Sequence, residues 1–174
     1  VTFDETSDAS ETIISLMTQP ITPSKLEFID AEAIKLINTI KTNHYDKKIK
    51  AAIILEIDGE KEYIDLMLKN IIKVIEINNF NKISVADNLK DIAELWSARK
   101  SLSPALRVIG SHKINEDIAV PISNLTKLLH NLDGISKRYG IKIVNFGHAG
   151  NGNIHVNLLF QSEEEKNSQN AISC

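Results

Sequence analysis

Short apolar runs alternate along the chain with longer segments in which the apolar residues have helical spacing. The run at residues 51–58 (AAIILEID) is continuous and ends at Asp58-Gly59, which is typical of a central strand followed by a turn. In residues 60–77, apolar side chains recur every three or four positions, and this spacing predicts a helix. The alternation predicts six strands, which begin near Lys25, Ala51, Lys82, Lys113, Ile141 and Asn153.

Prolines, glycines and capping residues set the predicted boundaries of the helices. The helix within residues 88–106 is expected to end near Pro104, and a later helix is expected to be capped by Ser123 and to end at Gly140 in the left-handed conformation. Residues 1–23 contain two prolines and predict an arm that leads into the domain, with one or two helical turns around residues 13–17. The elements predict an α+β fold, a ferredoxin-like sandwich with a mainly antiparallel sheet and helices mostly on one face.

Composition and charge narrow the class of protein. A chain of 174 residues that is 43% hydrophobic is long enough for one well-buried core, which we place at residues 24–161, and the polar tail 162–174 predicts truncation before the rest of the domain. The net charge of -3 and the absence of a basic stripe argue against a nucleic-acid partner. The single cysteine, Cys174, cannot form an internal disulfide, and no apolar run approaches the roughly 20 residues of a transmembrane helix. We therefore expect a cytoplasmic piece of a longer protein.

The stretch NFGHAGNGNIHVN, residues 145–157, combines a turn signal with two histidines. Asn-Gly favours a two-residue type I′ hairpin, which would place His148 directly opposite His155, with Cβ atoms about 4.5–5.5 Å apart. Asn157 would lie on the same face, opposite Phe146. Two imidazoles at that distance could bind a divalent cation, and a plain hairpin with two surface histidines explains the pattern equally well.

Four motifs in this chain resemble those of a known family. They are ITPSKLEFID at residues 21–30, LWSARKSLSPAL at 95–106, NEDIAVPISNL at 115–125 and FGHAGNGNIHVN at 146–157. Their order and spacing are similar to those of the C-terminal domain of FAD-linked oxidases, the family of D-lactate dehydrogenase, glycolate oxidase and D-2-hydroxyglutarate dehydrogenase. The resemblance covers about residues 20–160.

The resemblance implies a role for each matching residue. His148 and His155 would bind a divalent metal, for which zinc, manganese or iron would be suitable, and this metal would hold a small 2-hydroxy acid. Arg99 would pair with the carboxylate of this substrate, and Asn157 would help to position it. FAD would be bound by a separate domain of the parent chain, which could be peripheral at the inner membrane. A base and a third metal ligand are expected beyond Cys174, so the fragment alone is predicted to be inactive.

Other interpretations of these residues stay open at this point. Asn151 stands where the family usually has aspartate, which removes any role of that carboxylate in supporting the metal ligands. By pattern alone, Arg99 would pair with Asp91 or Glu94 on the surface of its helix, and the carboxylates of Glu116 and Asp117 would be solvated. The alternative functions are a small-molecule binding or regulatory module and a metal-assisted hydrolase. The hydrolase would need a third ligand and a water-activating base within the chain.

Overall fold

The computed structural model describes residues 1–41, 44–109, 112–168, 171 and 173, so Cys174 lies outside the described residues. One six-stranded sheet runs through the molecule in the order β1-β3-β2-β5-β6-β4, and every neighbouring pair is antiparallel. Within the described ranges, no helix combines the length and the apolar composition that crossing a membrane requires. The strands are β1 Thr2–Phe3, β2 Lys25–Asp30, β3 Ala51–Glu56, β4 His112–Ala119, β5 Lys142–His148 and β6 Asn153–Phe160.

Helices cover both faces of this sheet. Buried side chains of α1, α3 and α5 form one hydrophobic core against the first face, and those of α2 and α4 form a second core against the other. The predicted α+β sandwich with an antiparallel sheet is confirmed, and three of the five long helices share one face. The helices are α1 Thr6–Met17, α2 Ala31–Ile40, α3 Lys61–Glu76, α4 Leu89–Ile109, α5 Leu125–Tyr139 and the short α6 Glu163–Lys166.

Central strands with two covered faces explain the continuous apolar runs in the sequence. Because successive side chains of a strand point to opposite faces, a strand buried on both sides is apolar at most positions. In β3, Ile53 belongs to the first core, and Ala52 and Ile54 belong to the second. In β2, the same alternation directs Phe28 to the first face and Ile29 to the second.

The predicted strand at residues 82–87 is wrong. Only Lys82 forms an isolated bridge, with Thr2, and the following residues are irregular and mostly exposed. The sixth strand of the sheet is instead β1, whose Thr2 and Phe3 pair with Ala52 and Ala51. The edge next to this segment is that of β1, which is only two residues long, and it pairs with the segment at Lys82.

Two helix boundaries also differ from the predictions. Pro104 lies inside α4 and does not end it. Proline costs a helix one hydrogen bond, yet Leu102 and Leu106 are fully buried on either side of it, and their packing keeps the helix continuous. Ser123 lies in a short 3₁₀ turn at Ile122–Asn124, and α5 begins after Asn124.

The N-terminal segment contains more regular structure than the sequence pattern indicated. Helix α1 has 12 residues, of which Ile13 and Leu16 are buried in the first core. The predicted end of α5 is confirmed, because Gly140 follows the helix with φ of 68°. This left-handed conformation is readily available to glycine and is a common helix terminus.

Candidate active site

The hairpin between β5 and β6 differs in register from the prediction. Its loop is a 3₁₀ turn at Ala149–Asn151 followed by Gly152, and the register pairs His155 with Phe146 and His148 with Asn153. The predicted direct pair of His148 and His155 is therefore wrong. The loop holds four residues rather than two, and this moves the partner of His155 by two positions.

A shift of two positions leaves each side chain on its original face, because side chains alternate with a period of two. His148 and His155 thus share a face as diagonal neighbours, with ring centroids 5.2 Å apart and ring planes at 81°. Asn157 lies on this face as predicted, although it is opposite Val144 and not Phe146. The two imidazoles are close enough to face a common ligand.

Gly152 fixes the position of this loop. Its φ is +75°, and a Cβ atom there would come within 2.0 Å of the carbonyl oxygen of Val120. The same two residues are joined by a hydrogen bond of 3.0 Å from the Val120 amide to the Gly152 carbonyl. Any residue with a Cβ would push the hairpin away from the segment that follows β4.

Each histidine has its Nδ1 atom on a carboxylate from a neighbouring strand. His148 Nδ1 contacts Oε1 of Glu27 on β2, and His155 Nδ1 lies 2.5 Å from Oδ1 of Asp117 on β4. An ionised carboxylate only accepts hydrogen bonds, so a neutral imidazole donates from Nδ1 and keeps Nε2 as a lone-pair donor to a ligand. This arrangement supports metal-binding histidines in many proteins.

Arg99 reaches the same cluster from α4. Its Nε donates to Oε2 of Glu27 at 2.8 Å, and its guanidinium carbon lies 4.5 Å from the ring centroid of Phe146. The pairing with Asp91 or Glu94 that the pattern alone suggested is therefore wrong. Both members of the Arg99–Glu27 pair are largely buried, with side chains exposed by 12% and 8%.

Asn157 is fully buried on the same sheet face as the histidines. Its Nδ2 donates to the carbonyl oxygens of Val144, at 3.1 Å, and His155, at 3.3 Å. Its Oδ1 is buried and has no hydrogen-bond partner among the described residues. Unpaired buried acceptors are uncommon in proteins, so this oxygen is a candidate contact for a ligand or a water molecule.

Neither carboxylate was predicted to hold a histidine: Glu27 was not considered, and Asp117 was expected to be solvated, whereas its 60% exposed side chain contacts His155. Glu27 lies within the quoted motif ITPSKLEFID, and Asp117 lies within NEDIAVPISNL. In the register of β4 and β6, Asp117 is directly opposite His155. The family motifs therefore contained the signal, but pairing Glu27 with His148 required the β2–β5 neighbourhood, which no local pattern reveals.

A cavity of about 800 Å³ lies on the other face of the sheet, so cavity size does not locate this cluster. It is lined by residues of α1, α5, β5 and the start of α2, including Asp30 and Asn145. Across residues 1–41, 44–109 and 112–168, no three His, Cys, Asp or Glu side chains are arranged to hold a metal ion. A cation at this cluster would thus need ligands beyond the two imidazole nitrogens.

The comparisons with known proteins agree with the family that the four sequence motifs resemble. The sequence model of the family described as "FAD linked oxidases, C-terminal domain" matches residues 1–173. The chain is 27% identical over 153 residues to glycolate oxidase subunit GlcD of Bacillus subtilis, covering 88% of this chain and 33% of the relative. It is 27% identical over 177 residues to D-lactate dehydrogenase [cytochrome] 1, mitochondrial, of Saccharomyces cerevisiae, covering 95% of this chain and 30% of the relative.

A third relative and one solved structure extend the comparison. D-2-hydroxyglutarate dehydrogenase, mitochondrial, of Danio rerio is 25% identical over 151 residues, covering 81% of this chain and 27% of the relative. A structure of alkyldihydroxyacetonephosphate synthase has a TM-score of 0.65 at 14% identity, covering 90% of this chain and 34% of that one, and supports the fold alone. The chain spans about a third of the length of these relatives. Because the family match includes almost every residue, this chain belongs to the FAD-linked oxidase C-terminal domains.

Proposed function

We propose that this chain is the substrate- and metal-binding domain of an FAD-dependent oxidoreductase that acts on a small 2-hydroxy acid, of the glycolate oxidase or D-lactate dehydrogenase type. The observation that carries the proposal is the meeting of His148, His155 and Arg99 around Phe146 on one sheet face. The lone pairs of the two histidines could bind a cation that holds the hydroxyl end of such a substrate. The guanidinium could bind its carboxylate end. The family match favours this function over the regulatory module and the hydrolase.

Arg99 has the groups needed to bind a carboxylate. Its Nε is occupied by Glu27, and among the described residues its Nη1 and Nη2 have no hydrogen-bond partner. These two nitrogens form a fork that can bind both oxygens of a carboxylate in parallel. Because Nε is taken, the substrate would approach Arg99 end-on through the Nη atoms, and Phe146 beneath the guanidinium would keep its plane fixed.

The histidines would hold the divalent cation through their Nε2 atoms. Two imidazoles match the preference of zinc, manganese or iron for nitrogen ligands, and further ligands would have to come from the substrate, from water or from elsewhere in the full-length protein. When bound, the cation would lower the pKa of the substrate hydroxyl, and FAD on another domain would accept the hydride. Asn157 would help to orient the substrate from below.

The test uses the full-length protein that carries this domain. We expect D-lactate or glycolate oxidation to be lost after chelation, to return with added Zn²⁺ or Mn²⁺, and to be lost in His148→Ala and His155→Ala with the flavin spectrum unchanged. His130→Ala is the matched control, because His130 is exposed on α5 at the other face. Metal-free protein that oxidises these acids at the wild-type rate would remove the cation from the proposal.

The isolated chain gives a second, independent measurement. With two ligands available, we expect it to purify without stoichiometric metal and to bind Zn²⁺ weakly in a calorimetric titration. Tight stoichiometric binding by the chain alone would contradict the expectation that the remaining ligands lie outside it.

A further inference from the structure

Glu27 connects His148 and Arg99 in the candidate site. Its Oε1 contacts Nδ1 of His148, and its Oε2 accepts from Nε of Arg99 at 2.8 Å. The residue is 6% exposed, so it lies almost entirely out of solvent. One buried side chain on β2 therefore holds a group from β5 and a group from α4 at the same time.

The chemistry of the three groups fixes which of them donates. A guanidinium Nε–H can only donate, whereas a neutral imidazole Nδ1 can either donate or accept. Both oxygens of a carboxylate accept, so Glu27 satisfies Arg99 and still requires His148 to donate from Nδ1. With its hydrogen on Nδ1, the imidazole has a free lone pair on Nε2.

We propose that Glu27 is a positioning residue that sets the donor-acceptor state of His148 and the orientation of Arg99 together. The importance of this coupling rests on the proposed function, in which His148 holds the cation and Arg99 holds the substrate carboxylate. The coupling itself is a property of the hydrogen bonds and can be measured without either ligand. Glu27 touches neither ligand and acts through its two neighbours.

Glu27→Gln tests this coupling because an amide has only one oxygen. Arg99 Nε must donate, so the oxygen of the introduced amide turns to Arg99 and its NH₂ group turns to His148. Nδ1 of His148 must then accept, and the imidazole hydrogen moves to Nε2. The variant should thus place a hydrogen on the nitrogen that would bind the cation, with almost no change in shape.

His155 provides the matched control. Asp117 contacts His155 Nδ1 and has no other hydrogen-bond partner among the described residues, and its side chain is 60% exposed. In Asp117→Asn no second donor orders the amide, which can turn either its oxygen or its NH₂ group to His155. His155 can therefore keep a population with its hydrogen on Nδ1, whereas His148 in Glu27→Gln cannot.

The experiment records long-range ¹H–¹⁵N spectra of the full-length protein labelled with ¹⁵N-histidine, under conditions in which the imidazoles are neutral. His148→Gln and His155→Gln assign the two signals. We expect His148 to carry its hydrogen on Nδ1 in the wild type and on Nε2 in Glu27→Gln, and His155 to keep a detectable Nδ1–H population in Asp117→Asn. Glu27→Gln should also weaken Zn²⁺ binding by about 10- to 100-fold, the usual effect of losing such a partner.

A double variant keeps the proposal falsifiable if Glu27→Gln alone does not fold. In Glu27→Gln with Arg99→Leu, nothing competes for the oxygen of the introduced amide, so His148 should regain a population of the Nδ1–H form. The proposal is overturned if His148 keeps Nδ1–H in Glu27→Gln, if it stays entirely Nε2–H in the double variant, or if Asp117→Asn removes the Nδ1–H form of His155 completely. If the hydrogen moves as expected and yet no variant binds Zn²⁺, the coupling stands and the metal part of the proposed function fails.

Discussion

Two buried carboxylates on β2 lie on opposite faces of the sheet and have different kinds of hydrogen-bond partner. Glu27 faces α4 and Asp30, three residues later, faces the opposite core, and they are 6% and 8% exposed. Glu27 pairs with the guanidinium of Arg99 and the ring of His148. Asp30 is held by neutral donors, which are the amide of Ala33 and the backbone and side-chain nitrogens of Asn145.

The consequence for Asp30 is a large change in its acidity. Burial raises the pKa of Asp30 from 3.8 to about 7, and the hydrogen bonds from Ala33 and Asn145 lower it only in part. At Asp30, these neutral donors do not offset the cost of burying the charge. Asp30 caps α2 and ties it to β5, which is a structural task, whereas Glu27 holds the groups that would meet a ligand.

The largest effect should come from removing the cation beside Glu27. Arg99→Leu leaves a buried carboxylate with only the partly exposed His148, and we expect the free energy of unfolding to fall by about 3–5 kcal/mol in urea titrations. Glu27→Leu combined with Arg99→Leu should recover most of this loss, because apolar residues can replace a buried ion pair at little cost. A double variant as unstable as Arg99→Leu would show that packing, and not charge, is lost.

A milder change at the same residue separates its charge from its shape. In the full-length protein, Arg99→Lys keeps the charge but cannot serve Glu27 and a carboxylate in the same geometry. We expect kcat/KM for D-lactate or glycolate to fall by an amount equivalent to roughly 1.5–3 kcal/mol, with the flavin still bound. Asp30→Asn on the other face should leave kcat/KM unchanged, and equal activity of Arg99→Lys and wild type would remove Arg99 from the site.

The contribution of Asp30 to the free energy of unfolding should depend on pH. Because the folded pKa lies above the unfolded one, Asp30 contributes stability that is fully present below about pH 4 and is lost as the pH rises through about 7. The difference in unfolding free energy between wild type and Asp30→Asn should thus be larger at pH 5 than at pH 8, by about 1–3 kcal/mol.

The exposed Asp133 supplies the control for this pH dependence. Asp133→Asn removes an exposed carboxylate that pairs with Lys137, and it measures how much the loss of a surface aspartate changes the free energy of unfolding at each pH. A difference for Asp30→Asn that stays constant with pH, or increases towards pH 8, would contradict the raised pKa.

Much of the fold could be predicted from sequence because its signals are local. The covered strands β2, β3, β5 and β6 and the helix end at Gly140 follow from runs of a few residues. The predictions for residues 82–87 and for Pro104 were wrong because the short edge of β1 in one case, and packing in the other, outweighed local preference. Such tertiary effects are not contained in a short window.

The candidate site, too, could be predicted only where the signals are local. The Asn-Gly turn predicted that His148, His155 and Asn157 share one face. The predicted register was wrong by two residues, but the shared face was still correct because side chains alternate with a period of two. The bond between Arg99 and Glu27 joins residues 72 positions apart, and the contact between His148 and Glu27 spans 121. No spacing rule connects residues at those separations, so only the motifs of the family could have indicated them.

The smallest effect on stability should come from Asp117, the exposed counterpart of Glu27. Both carboxylates hold a histidine through Nδ1, but Asp117 lies in solvent, where its charge stays hydrated and needs no cation. We expect Asp117→Asn to change the free energy of unfolding by less than about 0.5 kcal/mol, which is typical of surface positions.

Urea titrations of Asp117→Asn beside Glu27→Gln make the comparison direct, because both replace a carboxylate with an amide. Only the second leaves a buried guanidinium without its counter-charge. A loss above about 1 kcal/mol for Asp117→Asn would mean that the His155 contact stabilises the sheet edge at β4, and burial would then not explain the contrast between the two carboxylates.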